Sequence, residues 1–192
     1  MEDGVEDLSD DELMLLYQDG KLDAYEVLFD RHRGPLFNYA AWLLRDRTTA
    51  EDVMQDVFLQ VARNAATYEP RGRFRAWVMR MARNRCLNIL ASEATRRRAL
   101  AGFVVEKTHL ADGADDAAAS LMQEERRHAL EQTLANLPER QREALVLYAY
   151  EQMPYREVAQ ILDMPVNTVK TLIHRARAAL AQRMEHCAGE EP

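Results

Sequence analysis

The sequence predicts an all-α protein of two small helical domains, an N-terminal helical bundle and a C-terminal helix-turn-helix domain, joined by a flexible linker. Three observations carry that prediction. Ala, Leu, Glu and Arg abound while the 192 residues hold only 7 Gly and 6 Pro, a composition that favours helices. Apolar residues recur at helical spacing from Asp10 to about Leu90 and again from Leu121 to Met184, with no credible strand pair. Between them, AGFVVEKTHL gives way to ADGADDAAAS, poor in large apolar groups and rich in Ala, Asp and Gly, as a tether is. The expected layout is an acidic N-terminal segment over 1–20, a helical bundle over 21–98, a linker over 99–120, a helix-turn-helix domain over 121–184 and a disordered tail over 185–192.

Composition also limits function. Hydrophobic residues make up 47% of the chain, but no apolar run approaches the roughly 18 residues of a membrane span. The acidic start (Glu2, Asp3, Glu6, Asp7) lacks the basic and apolar regions of a signal peptide, so a cytoplasmic protein without membrane insertion is expected. Cys86 and Cys187 form no CxxC or Cys/His cluster, so neither a metal nor a cofactor is expected. The net charge of −7 argues superficially against nucleic acid, yet its distribution matters more than its sum. Met1 to Asp30 holds eleven acids and one lysine, whereas Arg71 to Arg98 holds nine arginines and one acid, Glu93. Tyr155 to Arg183 adds a second basic block, with five basic and two acidic residues.

In the first domain, the segment AEDVMQDVFLQVA has two faces. Ala50, Val53, Val57 and Val61 make a core stripe with Met54 and Phe58 at its edge. Asp52, Gln55, Asp56, Leu59 and Arg63 fall opposite. A solvated outer face would explain the polar residues, but Leu59 is an apolar group among acids, which suits a docking face for a basic partner helix. Next, Pro70 and Gly72 mark a turn before the helix of RGRFRAWVMRMARNRCLN. Phe74, Trp77, Val78 and Met81 form its expected core stripe, and Arg71, Arg73, Arg75, Arg80, Arg83 and Arg85 project around it. Arginines neutralise phosphates while aromatic faces accept unstacked bases, so this block suits single-stranded DNA.

The second domain carries the sharper pattern. Pro138 opens a helix that runs through Arg142, Leu145 and Tyr148 until Met153-Pro154 interrupts it. YREVAQIL is a short helix burying Tyr155, Val158, Ile161 and Leu162, and Asp163-Met164-Pro165 is the tight turn. The last helix packs through Val166, Val169, Ile173, Ala176 and Leu180. Its opposite face presents Asn167, Thr168, Thr171, His174 and Arg175, with Lys170 and Arg177 on one shoulder. Short polar groups near the start of such a helix reach base edges in a major groove, and the basic groups beyond meet phosphates.

In this order, these segments resemble the extracytoplasmic-function (ECF) class of bacterial RNA polymerase sigma factors over nearly the whole chain. AEDVMQDVFLQV is similar to the family's core-polymerase-binding helix, FRAWVMRMARN to its promoter-melting segment, and LPERQREALVLYAYEQMPYREVAQILDMPVNTVKTLIHRARAAL to its second conserved domain. The resemblance implies that Asp52, Gln55, Asp56 and Phe58 dock on the clamp helices of the polymerase's largest subunit, with the outward Leu59 beside them. It implies that the loop from about Ala65 to Gly72, with Arg71, Arg73, Phe74, Arg75, Trp77, Arg80, Arg83, Asn84 and Asn88, opens the −10 element and captures a flipped base. Asn167, Thr168, Lys170, Thr171, His174, Arg175 and Arg177 would read the −35 element as duplex. The second domain would bind the flap of the second-largest subunit, and an anti-sigma factor would hold the protein inactive. Several positions depart from the family pattern: Asn88 stands where Asp is frequent, Ala91 where Arg is frequent, Asn167 replaces a common Gly and Leu172 a common Arg.

Two other classes fit less well. A regulator working without polymerase would leave Asp52, Gln55, Asp56, Leu59 and the arginine block without a task. An enzyme would need a glycine-rich phosphate loop, a nucleophile–base pair or a metal cluster, and the sequence offers none, so no catalytic residue is expected.

Overall fold

In the computed structural model, residues 5, 7–99, 134 and 136–188 are described, and every regular element among them is helical. The chain divides into two compact units, Met1–Leu110 and Ala111–Pro192. The predicted linker beyond Ala99 and the first turns of the second domain lie outside the described residues.

The first unit begins with α1 (Asp10–Gln18), fixed at its start by a reciprocal capping box. The Ser9 backbone N–H donates to Glu12 Oε2 at 2.8 Å, and the Glu12 N–H donates to Ser9 Oγ at 3.3 Å. Leu13 and Met14 on α1 are fully buried. The acidic segment expected over 1–20 thus includes a helix whose apolar face joins the bundle core, in keeping with the helical spacing that starts at Asp10.

α2 (Leu22–Leu44) follows, and its chain reverses at Arg45, whose φ of 55° lies in the left-handed region. Asp46 then caps α3 (Arg47–Asn64) by accepting from the Thr49 N–H at 2.7 Å. A 3₁₀ turn, Ala65–Thr67, leads into a loop and then α4 (Phe74–Ala99). The core of this unit joins Leu28, Leu36 and Tyr39 of α2 to Val53, Val57 and Val61 of α3. From α4 come Phe74, Val78, Met79, Ala82 and Cys86. Trp77 and Met81, expected in that stripe, are only half-buried. The helix packs against α1, α2 and α3 together, which rotates its buried face toward Met79, Ala82 and Cys86.

In the second unit, α5 (Glu139–Leu145) passes without a break into a π-helical turn, Val146–Tyr150. α6 (Tyr155–Leu162) and α7 (Val166–Ala188) complete the helix-turn-helix. Asp163 makes the corner with φ 54°, and the Met164 N–H donates to the Ala159 carbonyl at 3.1 Å. An acidic residue fills the left-handed position usually given to glycine. Val158, Ile161 and Leu162 of α6 pack with Val169, Ile173 and Ala176 of α7. Tyr155, expected to be buried, is only half-buried because its ring lies against Tyr148. α7 also continues to Ala188, past the point where the tail was expected to begin.

Candidate nucleic-acid and polymerase interfaces

Three surfaces collect the residues singled out in the sequence. On α3, Asp52 and Gln55 are exposed and Leu59 stands 53% exposed beside them. Helical spacing puts 52, 55, 56 and 59 on one face. Asp56 is already engaged: its Oδ2 accepts from Arg85 Nε at 3.0 Å and Arg85 Nη2 at 2.9 Å. Both side chains are more than 40% exposed, so the pair contributes little to stability and can exchange for a partner's cation. Sequence reading missed this pair because it joins two helices across 29 positions. Phe58 does not belong to the docking face. It is 3% exposed, its ring packing edge-on against Phe29 with centroids 4.7 Å apart.

The second surface is the outer face of α4 with the loop before it. Trp77, Arg80, Asn84 and Asn88 recur at spacings of three and four and line a single stripe opposite the core. Arg80, Asn84 and Asn88 are exposed and Trp77 is half-buried. Arg71 and Arg73 are exposed in the loop, Arg71 paired with Glu69. Two other expected contacts are internal instead. Phe74 is 1% exposed, among the rings of His32, Tyr68 and Trp77, and Arg83 is 8% exposed. Their helical phase turns them inward, so neither can meet DNA directly. Arg75 is half-buried and makes interactions within the protein.

α1 reaches this loop through contacts that no local sequence pattern announces. Asp11 Oδ1 accepts from the Tyr68 hydroxyl at 2.5 Å, and Asp11 Oδ2 accepts from the Gly72 N–H. Gln18 Nε2 donates to the carbonyls of Ala65 at 2.7 Å and Tyr68 at 3.0 Å. Asp10 ties the same helix to α2 through His32 Nε2 at 2.8 Å and Arg31 Nη1 at 2.5 Å. Burial alone would push the Asp10 carboxyl up, but His32 and Arg31 together hold it below the usual range. The Tyr68 hydroxyl is pushed well above its ordinary value by burial and then by Asp11.

The third surface is the outward face of α7, where Asn167, Thr168, Lys170, Thr171, His174, Arg175 and Arg177 are all exposed. The Thr171 hydroxyl donates to the Asn167 carbonyl at 2.9 Å. Tyr148 and Tyr155 stack with centroids 4.5 Å apart. Over this platform sit Lys170 Nζ, 5.9 Å from the Tyr155 ring, and Arg177 Cζ, 4.9 Å from the Tyr148 ring. Both cations are thus prepositioned on one shoulder of the helix.

Helix-turn-helix unit and arginine-faced bundle together define a modular DNA-binding transcription protein, and comparison with known proteins gives its family. Residues 28–97 match the description "Sigma-70 region 2" and residues 127–180 match "Sigma-70, region 4". The chain is 32% identical over 170 residues to the RNA polymerase sigma factor CarQ of Myxococcus xanthus, covering 86% of this chain and 92% of that one. It is 30% identical over 171 residues to the ECF RNA polymerase sigma factor SigK of a Mycobacterium species (strain KMS), covering 88% and 84%. Among solved structures, CnrH in complex with the cytosolic domain of CnrY superposes with a TM-score of 0.65 at 26% identity, covering 92% of this chain and 97% of that one. Sigma factor RpoE of Bartonella quintana, solved with the anti-sigma factor NepR, shares the fold with a TM-score of 0.63 at 21% identity, covering 80% and 91%.

The chain belongs to the ECF class of RNA polymerase sigma factors. It is a promoter-specificity subunit, which binds core polymerase, recognises −35 and −10 elements and helps melt DNA for initiation. No helix among the described residues is long and apolar enough to cross a membrane.

Proposed function

We propose that the three surfaces divide the sigma cycle among named residues. Asp52, Gln55, Asp56 and Leu59 dock on the clamp helices of the largest polymerase subunit, with Leu59 desolvated at the centre and the acids facing basic groups. The exposed stripe Trp77, Arg80, Asn84 and Asn88, with Arg71 and Arg73, takes the displaced strand of the −10 element. Opening costs a few kcal/mol per unstacked step. Stacking on the half-buried Trp77 and phosphate contacts by the arginines offset that cost.

Asn167, Thr168, Thr171, His174 and Arg175 read base edges of the −35 duplex, and Lys170 and Arg177 hold its phosphates. The second unit also meets the flap of the second-largest subunit. The observation that carries this reading is the pair of unobstructed polar and basic faces, one on each compact unit.

The protein does no chemistry of its own, since the polymerase supplies it, and it acts in the cytoplasm with the chromosome. A protein anti-sigma factor is its proposed inhibitor, by analogy with CnrH and RpoE, which were solved with CnrY and NepR. In vitro transcription with core polymerase on genomic fragments tests the function and yields the promoter. Discrete start sites that depend on this chain are expected; failure to associate with core polymerase would overturn the proposal.

A further inference from the structure

We infer that α1 is the latch that positions the −10 loop, with Asp11 and Tyr68 as the positioning residues. The inference rests on the proposed −10 role of that loop, but α1 lies outside the matched region 2, which starts at residue 28.

Four hydrogen bonds from one short helix hold the loop. Tyr68 is gripped at both ends: its carbonyl accepts from Gln18 at 3.0 Å and its hydroxyl donates to Asp11 at 2.5 Å. The same carboxylate takes the Gly72 N–H, where the chain turns with φ 63°. One Asp11 side chain therefore sets both the ring that opens the loop and the turn that closes it. The Tyr68 ring lies 5.1 Å from Trp77 and 5.8 Å from Phe74. A shift of the tyrosine would move the aromatic wall facing the captured strand and the two loop arginines beside Gly72. α1 itself cannot drift, because Asp10 anchors it to His32 and Arg31 of α2.

A loop that must hold an unstacked base gains from being preformed, since ordering it on binding would cost affinity. The acids of α1 thus serve an internal purpose. Asp10 and Asp11 commit their charge to contacts within the protein.

The test uses holoenzyme assembled with the full chain. The probe is a fluorescent single-stranded oligonucleotide carrying the non-template −10 strand of a promoter recovered by transcription of genomic fragments. Tyr68→Phe and Asp11→Asn are expected to weaken strand binding about tenfold, the scale of one lost charge-assisted hydrogen bond. Core association and −35 duplex binding should stay as in the parent. All assays run below each variant's melting temperature. Val53→Ala, which trims the buried core on α3 and leaves every hydrogen bond between α1 and the loop in place, serves as the stability control. Strand affinity that tracks melting temperature across all three variants would overturn the latch, as would unchanged binding by Tyr68→Phe and Asp11→Asn.

Arg71→Ala/Arg73→Ala separates the two levels. If it weakens strand binding while the latch variants do not, the latch alone fails. If it too has no effect, the −10 role of the loop fails, and the latch with it.

Discussion

Replacing Lys170 and Arg177 together with alanine should flatten the salt dependence of −35 binding. Both residues are exposed, and their charged groups lie over the Tyr148–Tyr155 stack at 5.9 and 4.9 Å. In the proposed −35 contact, each would reach one phosphate with little new ordering. A phosphate contact to duplex DNA adds about 0.9 to the slope of log affinity against log salt, so the double variant should lose about 1.8. Over a roughly fourfold rise in salt, that slope alone amounts to about a twelvefold difference in how far affinity falls. The assay is fluorescence anisotropy of a −35 duplex with holoenzyme across a salt series. Tyr148→Phe keeps the ring and should keep the slope. Asn167→Ala should change base preference while leaving the slope alone, because a base-edge contact releases no counterion. A slope in the double variant equal to the parent's would refute the phosphate assignment.

Neighbouring residues on α3 should separate stability from docking. Phe58→Ala empties a site only 3% exposed and should cost about 3–5 kcal/mol, whereas Leu59→Ala, at 53% exposed, should change stability by under about 0.5 kcal/mol. Thermal melting reads the first effect, and co-precipitation with core polymerase should be lost in the second. Alkaline titration should expose the Tyr68 contact. Its folded pKa is raised above 10.0, so its contribution is complete below that pH and is lost as pH climbs past it. Tyr68→Phe should lower stability at neutral pH yet remove that part of the alkaline decline, as denaturant midpoints measured from neutral to alkaline pH would reveal.

Much of the fold was legible because amphipathic spacing is a strong local signal. Ala50, Val53, Val57 and Val61 fall in the core as their spacing requires. The outward residues of α7 are likewise all exposed, since packing against α5 and α6 and the tight turn before it fix its phase. α4 was harder to read. Its arginines obscure the apolar stripe, and packing against three helices buries Met79 and Arg83 in place of Trp77 and Met81. Phe58 was ambiguous on the helical wheel, and the ring of Phe29 decided it. The contacts of α1 with the loop were invisible for a different reason. They join Asp11 to Tyr68 and Gly72 across 57 and 61 positions, and no periodicity in a single sequence encodes such a pairing.

The small hydrogen bond inside α7 limits what its face can read. The Thr171 proton is committed to the Asn167 carbonyl at 2.9 Å, so toward DNA this hydroxyl has only lone pairs to offer, beside a methyl group. In the major groove, lone pairs suit the amino groups of adenine N6 and cytosine N4, and the methyl suits thymine C5. Guanine presents only acceptors there, which makes it the one base that Thr171 can meet only by giving up its bond to the helix. If Thr171 faces base edges as proposed, that discrimination is set within α7 before any promoter arrives.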